Sequence, residues 1–307
     1  MKTDDSTIGT ASLARTVFSW LIFPAVMLAG LCAGDALLEH GVASFATVLS
    51  VQAAAAAIIF LGERIFPYYD DWSRNHGDLR TDIGHSIVSA NLVPELLRPT
   101  LYAAAAASGA VLAASAQGVL WSHALHISAQ LVLALVIGEF TQYWIHRLEH
   151  QTATLWRIHA VHHSAPRLYW LNAGRFHPLD FLLLYCGWYV PLVMLGCGER
   201  VLVLFAIFTA IHGMFQHANL ELRLGALNWI FSMAELHRWH HSRVLEEANS
   251  NYGANLIIWD VAFGTRFLPA DRRPAADIGI GDMPEFPRGY LAQLASPFTW
   301  QRLPRGG

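Results

Sequence analysis

Apolar residues fall in long runs along this chain, and a helix needs about 20 of them to cross a bilayer. Val17 to Ala33 and Val42 to Gly62 contain no charged residue, and Thr100 to Trp121 is a third such run, rich in Ala and Gly. Leu125 to Ile145 is a fourth, broken only by Glu139. Phe181 to Cys197 and Val201 to Phe215 are shorter and separated by Gly198, Glu199 and Arg200, which predicts a helical hairpin that returns the chain to the side it left. Between the second and third runs, Asp82 to Arg98 contains Pro94 and is followed by Pro99, a pattern that predicts an interfacial helix ending before the third crossing. No A-x-A-like site with a polar start follows Ala33, so the first run is expected to remain a crossing.

This threading segregates the positive charge. Of 20 Lys and Arg residues, 19 from Lys2 to Arg305 fall on one side, and Arg200 alone on the other. The positive-inside rule then places both termini and the long polar segments in the cytoplasm, in the inner membrane of a bacterium or its equivalent. The expected fold is all-α, a polytopic integral membrane protein with four to six transmembrane helices and a cytoplasmic, histidine-rich helical cap. Residues 1–130 would supply membrane helices and an interfacial loop, 131–270 the catalytic domain, and 271–307 a cytoplasmic C-terminal tail.

Composition agrees with this picture. The 307 residues are 54% hydrophobic and 14% charged, against about 25% charged in an ordinary soluble domain. The mean hydropathy is +0.34. A net charge of −3 offers nothing to nucleic acid. Cys32, Cys186 and Cys197 lie in apolar runs without a C-x-x-C pair, so they are packing residues.

Histidine is the exception. Residues 146–241 make up under a third of the chain yet hold 11 of its 16 histidines: His146 and His150; His159, His162 and His163; His177; His212 and His217; His237, His240 and His241. Spacings of three and four put side chains on one helical face, so each group can aim several imidazoles at one point. That many convergent ligands exceed the needs of one ion, and imidazole suits Fe, Zn, Cu or Ni. The groups also fall at the cytoplasmic ends of the predicted crossings. Isolated histidines such as His40, His123 and His126 are interfacial packing residues in this reading.

The ordered segments WIHRLEH, LWRIHAVHHS, RFHP, HGMFQHAN, ELHRWHHS and NYGANLIIWDVAFGT, spanning Glu139 to Thr265, resemble the fatty acid hydroxylase and sterol desaturase superfamily of membrane oxygenases. The resemblance implies two non-haem iron ions, O2 as co-substrate and a lipid substrate reached from within the bilayer. Carried over by position, the ligands would be His146, His150, His159, His162, His163, His217, His237, His240 and His241, joined by His177 and His212. Glu139 would orient an imidazole N–H, and Asn219, Asn251 and Asp260 would act beside the ligands. Asn249 departs from the pattern, since many relatives carry Asp there.

An iron pair that activates O2 can attack unactivated C–H bonds that acid–base groups cannot. Hydroxylation, desaturation and ether-lipid cleavage are all open to such a centre. No G-x-G-x-x-G opens a βαβ unit and no haem domain is evident, so electrons must come from a separate reductase, ferredoxin or cytochrome. Arg243, Arg266, Arg272 and Arg273 form a basic surface on which such a donor could dock. Two other classes compete. A b-type haem carrier could use His146 with His159, 13 apart, but Arg157 makes that stretch a polar loop. A zinc hydrolase or metal transporter lacks H-E-x-x-H and a ladder of mid-membrane ligands.

Overall fold

The computed structural model describes residues 5–116 and 120–306. Lys2, Gln117 to Val119 of the third apolar run, and Gly307 lie outside the described residues. Among the described residues the chain is helical and without strands. In order, the helices are α1 (Asp5–Glu39), α2 (Ser44–Ile65), α3 (Leu79–Gly84), α4 (Val93–Ala116), α5 (Ile127–Gln151) and α6 (Ala153–His163), then α7 (Pro178–Met194), α8 (Glu199–His217), α9 (Ala234–His240), α10 (Leu245–Ala248), α11 (Ile258–Phe263) and α12 (Tyr290–Ala295).

Among the described residues, four helical stretches are long and apolar enough to cross a membrane, Leu13–Glu39, Ser44–Ile65, Leu79–Ser115 and Glu199–His217; α5, over the fourth apolar run, is not one of them. They are not equivalent. Within α8, 72% of the most apolar stretch is buried, against 28%, 28% and 11% in the other three. So α8 is the central post, and the others keep an apolar face outward, carrying exposed residues such as Leu28, Leu61 and Val111. Small residues let the helices close on it: a Cβ on Gly109 of α4 would lie 2.2 Å from the Met194 carbonyl at the end of α7.

The third crossing differs from the sequence expectation. There is no separate interfacial helix over 82–98; eight residues of wider π-type turns, His85–Leu92, join α3 to α4 in one rod. Neither proline ends it: Pro94 follows directly on the wider turns, and Pro99 lies inside α4.

The predicted hairpin is present as α7 and α8. At the end of the molecule where it turns, Arg200 pairs with Asp35 at 2.6 Å and Glu39 at 2.7 Å, so the isolated basic residue is neutralised by the end of α1. At the opposite end, the segments after α8 pack as a cap over α5, α6 and the end of α8. Residues 276–300 are part of this cap: Ile280, Met283, Phe286 and Trp300 share a core with Ala160 and Val161 of α6, and the Trp72 indole donates to the Ala276 carbonyl at 2.9 Å.

Candidate metal centre

Nine histidines from four helices meet where the cap closes on the bundle. Helix α5 carries His146 and His150, α6 carries His159, His162 and His163, α8 ends in His217, and α9 carries His237 and His240 with His241 just beyond its end. They separate into two groups. In His146, His150, His159, His163 and His240 the ligand atoms lie within 4.8 Å of one another, and the same holds for His162, His217, His237 and His241. Adjacent residues thus serve different groups: His162 and His163 of α6 part between them, as do His240 and His241 at the end of α9.

The nitrogen chemistry tests whether metal ions fit. His146 Nδ1 donates to the Tyr252 carbonyl at 2.6 Å and His240 Nδ1 to the Ser250 carbonyl at 2.7 Å. Each Nε2 is therefore a bare lone pair, yet the two stand 3.0 Å apart, and His159 Nε2 is also 3.0 Å from His146 Nε2. In the second group, His162 Nδ1 donates to the Arg175 carbonyl and His217 Nδ1 to the Asn172 side-chain oxygen, while His237 Nε2 lies 3.0 Å from both His217 and His241 Nε2. Converging lone pairs repel unless a cation lies among them. His150 Nε2 and His163 Nε2 are buried with no hydrogen-bond partner, as ligands awaiting an ion would be. Burial also holds His159, His162, His163, His237, His240 and His241 well below the ordinary histidine pKa, in the neutral form that binds metal.

The partners that hold these rings come from distant parts of the chain. Asn251 to Asn255 form a tight loop: Asn251 adopts a positive φ of 53°, and a Cβ on Gly253 would lie 2.2 Å from the Leu256 carbonyl. Asn251 ties the loop to the Leu236 and Phe267 carbonyls. Asp260 accepts from the Tyr252 and Gly253 amides at 2.8 Å each, and burial raises its pKa to about 6. The loop in turn presents the Tyr252 carbonyl to His146. Asn249 accepts from His150 Nδ1 at 3.2 Å, so the uncharged residue at that position still orients an imidazole.

Several residues singled out from the sequence lie elsewhere. His212 is buried outside both groups, its ring stacked on Phe208 and edge-on to Phe23, because it faces the α1 side of α8 and not the cap. His177 caps the start of α7, accepting from the Leu179 amide and donating to the Leu294 carbonyl. Glu139 does not orient an imidazole; it accepts from the Ala254 and Asn255 amides and the Asn255 side chain, holding the same loop as Asp260 from below. Asn219 clamps the backbone of Tyr69 and receives nothing from the histidines.

Sequence reasoning missed Glu149 and Asp180, both fully buried and both within 3.4 Å of His159 Nδ1. Their signal was present: Glu149 stands inside the HRLEH segment, and Asp180 is a lone acid at the mouth of an apolar run. Asn172 and the carbonyls of Arg175, Ser250 and Tyr252 carried no signal that spacing could reveal.

A cavity of about 590 Å³ reaches both groups. His146 and His159 of the first group and His162, His217 and His237 of the second line one end. From there it runs along α8 past Met214, Ala210, Ala206, Val203 and Leu202 to Glu199, with α2 on one side and α4 and α7 on the other.

The fatty acid hydroxylase family model matches residues 131–265, which include all nine converging histidines. The chain is 39% identical to ornithine lipid hydroxylase OlsE of Rhizobium tropici over 94% of its own length and 87% of that protein. The chain belongs to the fatty acid hydroxylase family. More distant relatives match less of the chain: alkylglycerol monooxygenase of Xenopus tropicalis is 34% identical over 43% of this chain and 29% of its own, and methylsterol monooxygenase 1 of Rattus norvegicus 31% over 42% and 44%. No solved structure matches the chain. As a fatty acid hydroxylase family member it is an oxidoreductase, and its helical stretches make it a membrane protein.

Proposed function

We propose that this protein is an O2-dependent di-iron monooxygenase that hydroxylates an aminolipid of the ornithine-lipid type in the membrane. The cavity carries this reading: one continuous space joins five histidines, drawn from both groups, to an apolar wall running along most of α8. A lipid can place a C–H bond beside the histidines while its chain stays among Leu, Val and Ala side chains. Identity with an ornithine lipid hydroxylase over nearly the whole chain supports the substrate class. The overall change takes one C–H bond, O2, two electrons and two protons to one C–OH and water.

His146, His150, His159, His163 and His240 would hold one iron, and His162, His217, His237 and His241 the other. When bound, the metal pair supplies the activation of O2 that no side chain can. The chain's own residues do the rest. Tyr252, Ser250 and Arg175 carbonyls fix which nitrogen of each ring faces inward, and Asp260 and Glu139 fix the loop that carries Tyr252. The cap and the surrounding helices keep bulk water from the histidines. The two electrons come from a separate reductase, ferredoxin or cytochrome docking at the cap, on the cytoplasmic side given by the distribution of positive charge. Residues 1–130 form the membrane scaffold, 131–270 the catalytic domain, and 271–307 close the cap.

Expression in a bacterium that makes ornithine lipids, under isotopically heavy O2, tests the reading. Mass spectrometry is expected to show one heavy oxygen in that lipid, absent without the protein and absent under anaerobic conditions. Equal product without O2, or a purified protein with stoichiometric haem and a Soret band, would overturn it.

A further inference from the structure

Where the cavity leaves the histidines it meets the start of α4, and Arg98 is the only Lys or Arg along its wall. Arg98 donates to Glu95 at 2.6 Å, one helical turn away, and the side chains are 34% and 36% exposed. Arg98 Nε is buried and has no hydrogen-bond partner. Asn91 and Ser86 line the same mouth. The Tyr185 hydroxyl donates to that of Tyr102 at 3.3 Å on the same wall, among mostly apolar neighbours. The pair stands at the polar start of the third crossing, just before the uncharged run that opens at Thr100, which is the level at which a lipid headgroup lies.

We propose that Glu95 and Arg98 form the seat for the lipid headgroup and select headgroups that carry both a carboxylate and an amine. This rests on the reading of the protein as a membrane-lipid hydroxylase and adds which lipid it admits. The pair is neutral as a whole. A purely anionic headgroup that took Arg98 would leave the Glu95 carboxylate unpaired beside a second negative charge. A headgroup with a carboxylate and an amine exchanges partners without loss: its carboxylate takes Arg98, including the spare Nε–H, and its amine takes Glu95. Opening the existing pair costs little, because a partly exposed ion pair one turn apart on a helix is weak. Ornithine carries both groups. The seat opens on the same cavity as His146, His159 and His162, so a lipid held there by its headgroup lies in the space that reaches both histidine groups.

The test uses full-length protein in nanodiscs, with O2, a reductant and either ornithine lipid or phosphatidylglycerol as substrate. Wild type is expected to hydroxylate ornithine lipid in preference to phosphatidylglycerol. Arg98→Gln and Glu95→Gln are each expected to raise KM for ornithine lipid about tenfold or more, with metal content as in wild type, as the loss of one charge-assisted hydrogen bond would do. Arg98→Lys keeps the charge but loses the Nε–H, and a smaller rise in KM is expected; this variant also serves if Arg98→Gln does not fold. The double swap Glu95→Arg with Arg98→Glu restores both charges and is expected to recover part of the affinity. Unchanged KM in the single variants, or wild-type turnover of phosphatidylglycerol as good as that of ornithine lipid, overturns the seat and leaves lipid hydroxylation standing. Wild type that hydroxylates no lipid overturns the functional reading and the seat with it.

Discussion

The two histidine groups are made of the same residue and touch each other, with the His163 and His241 rings stacked 4.5 Å apart, yet they are held differently. In the group of five, four rings have their outward nitrogen fixed: His146 by Tyr252, His150 by Asn249, His240 by Ser250, and His159 by Asp180 with Glu149 beside it. In the group of four only His162 and His217 are fixed, by neutral oxygens of Arg175 and Asn172, and the Nδ1 atoms of His237 and His241 are buried without a partner. Carboxylates behind a ligand raise its basicity and attract the cation. The group of five is therefore built to hold a metal ion more tightly than the group of four.

The strongest break of this comparison removes a ligand from each side. His240→Ala and His162→Ala are both expected to reduce hydroxylation to background, beyond the roughly 100-fold that a change behind a ligand costs. Metal analysis is expected to lose the ion of the mutated group, while membrane insertion stays intact; full turnover in either variant would disprove the ligand assignment.

Acid is the next largest perturbation. In the metal-free protein, burial depresses the pKa of His159, His162, His163, His237, His240 and His241 below the unfolded value of about 6.5. Above that pH both states are neutral and the histidines cost nothing. As pH falls below it, the unfolded chain binds protons that the folded one refuses, so stability is lost. Melting curves of the apo-protein at pH 7.5 and 5.5 should therefore show a clear drop in stability at the lower pH. Metal should slow this loss, since it competes with protons for the same lone pairs.

Smaller changes sharpen the contrast. Asp180→Asn is expected to weaken metal binding in the group of five by about 10- to 100-fold, and Asn172→Ala to weaken the group of four by less, since it removes a neutral acceptor. Competition with a chelator, followed as the loss of each ion, checks the order; an equal or reversed order would end the argument from the carboxylates. The smallest effect is expected at His212. His212→Phe should leave metal content and turnover unchanged and alter stability by no more than about 1 kcal/mol, because the ring already sits among Phe23, Phe208 and Phe231 and makes no close hydrogen bond. Loss of an ion in this variant would return His212 to the ligand set.

Much of the molecule was legible before its structure. Apolar runs located the long helices, since a bilayer demands length and lack of charge whatever the packing. The H-x-x-H-H spacings revealed which imidazoles share a helix face. The same spacings could not show that His162 and His163 would part to different groups, because that depends on which histidines of α5, α8 and α9 pack against each. Pro94 read as a break and is an early-turn residue within a continuous rod, as only the wider turns before it make plain. Glu139 read as a partner of an imidazole because it lies seven residues before His146 on one face. It instead meets the amides of Ala254 and Asn255, more than 100 residues away in sequence.

The sequence by itself determined a membrane helical bundle with its histidines gathered at one end, because hydropathy and helical period are local properties carried by the residues themselves. Tertiary structure alone decided which nitrogen of each ring faces inward, which histidines stand apart, and where the cavity runs. Those depend on carbonyls of Arg175, Ser250 and Tyr252, on the acids Glu149 and Asp180, and on the space between α2, α4, α7 and α8. Such groups meet only when distant segments fold together, and backbone oxygens leave no mark in a sequence pattern.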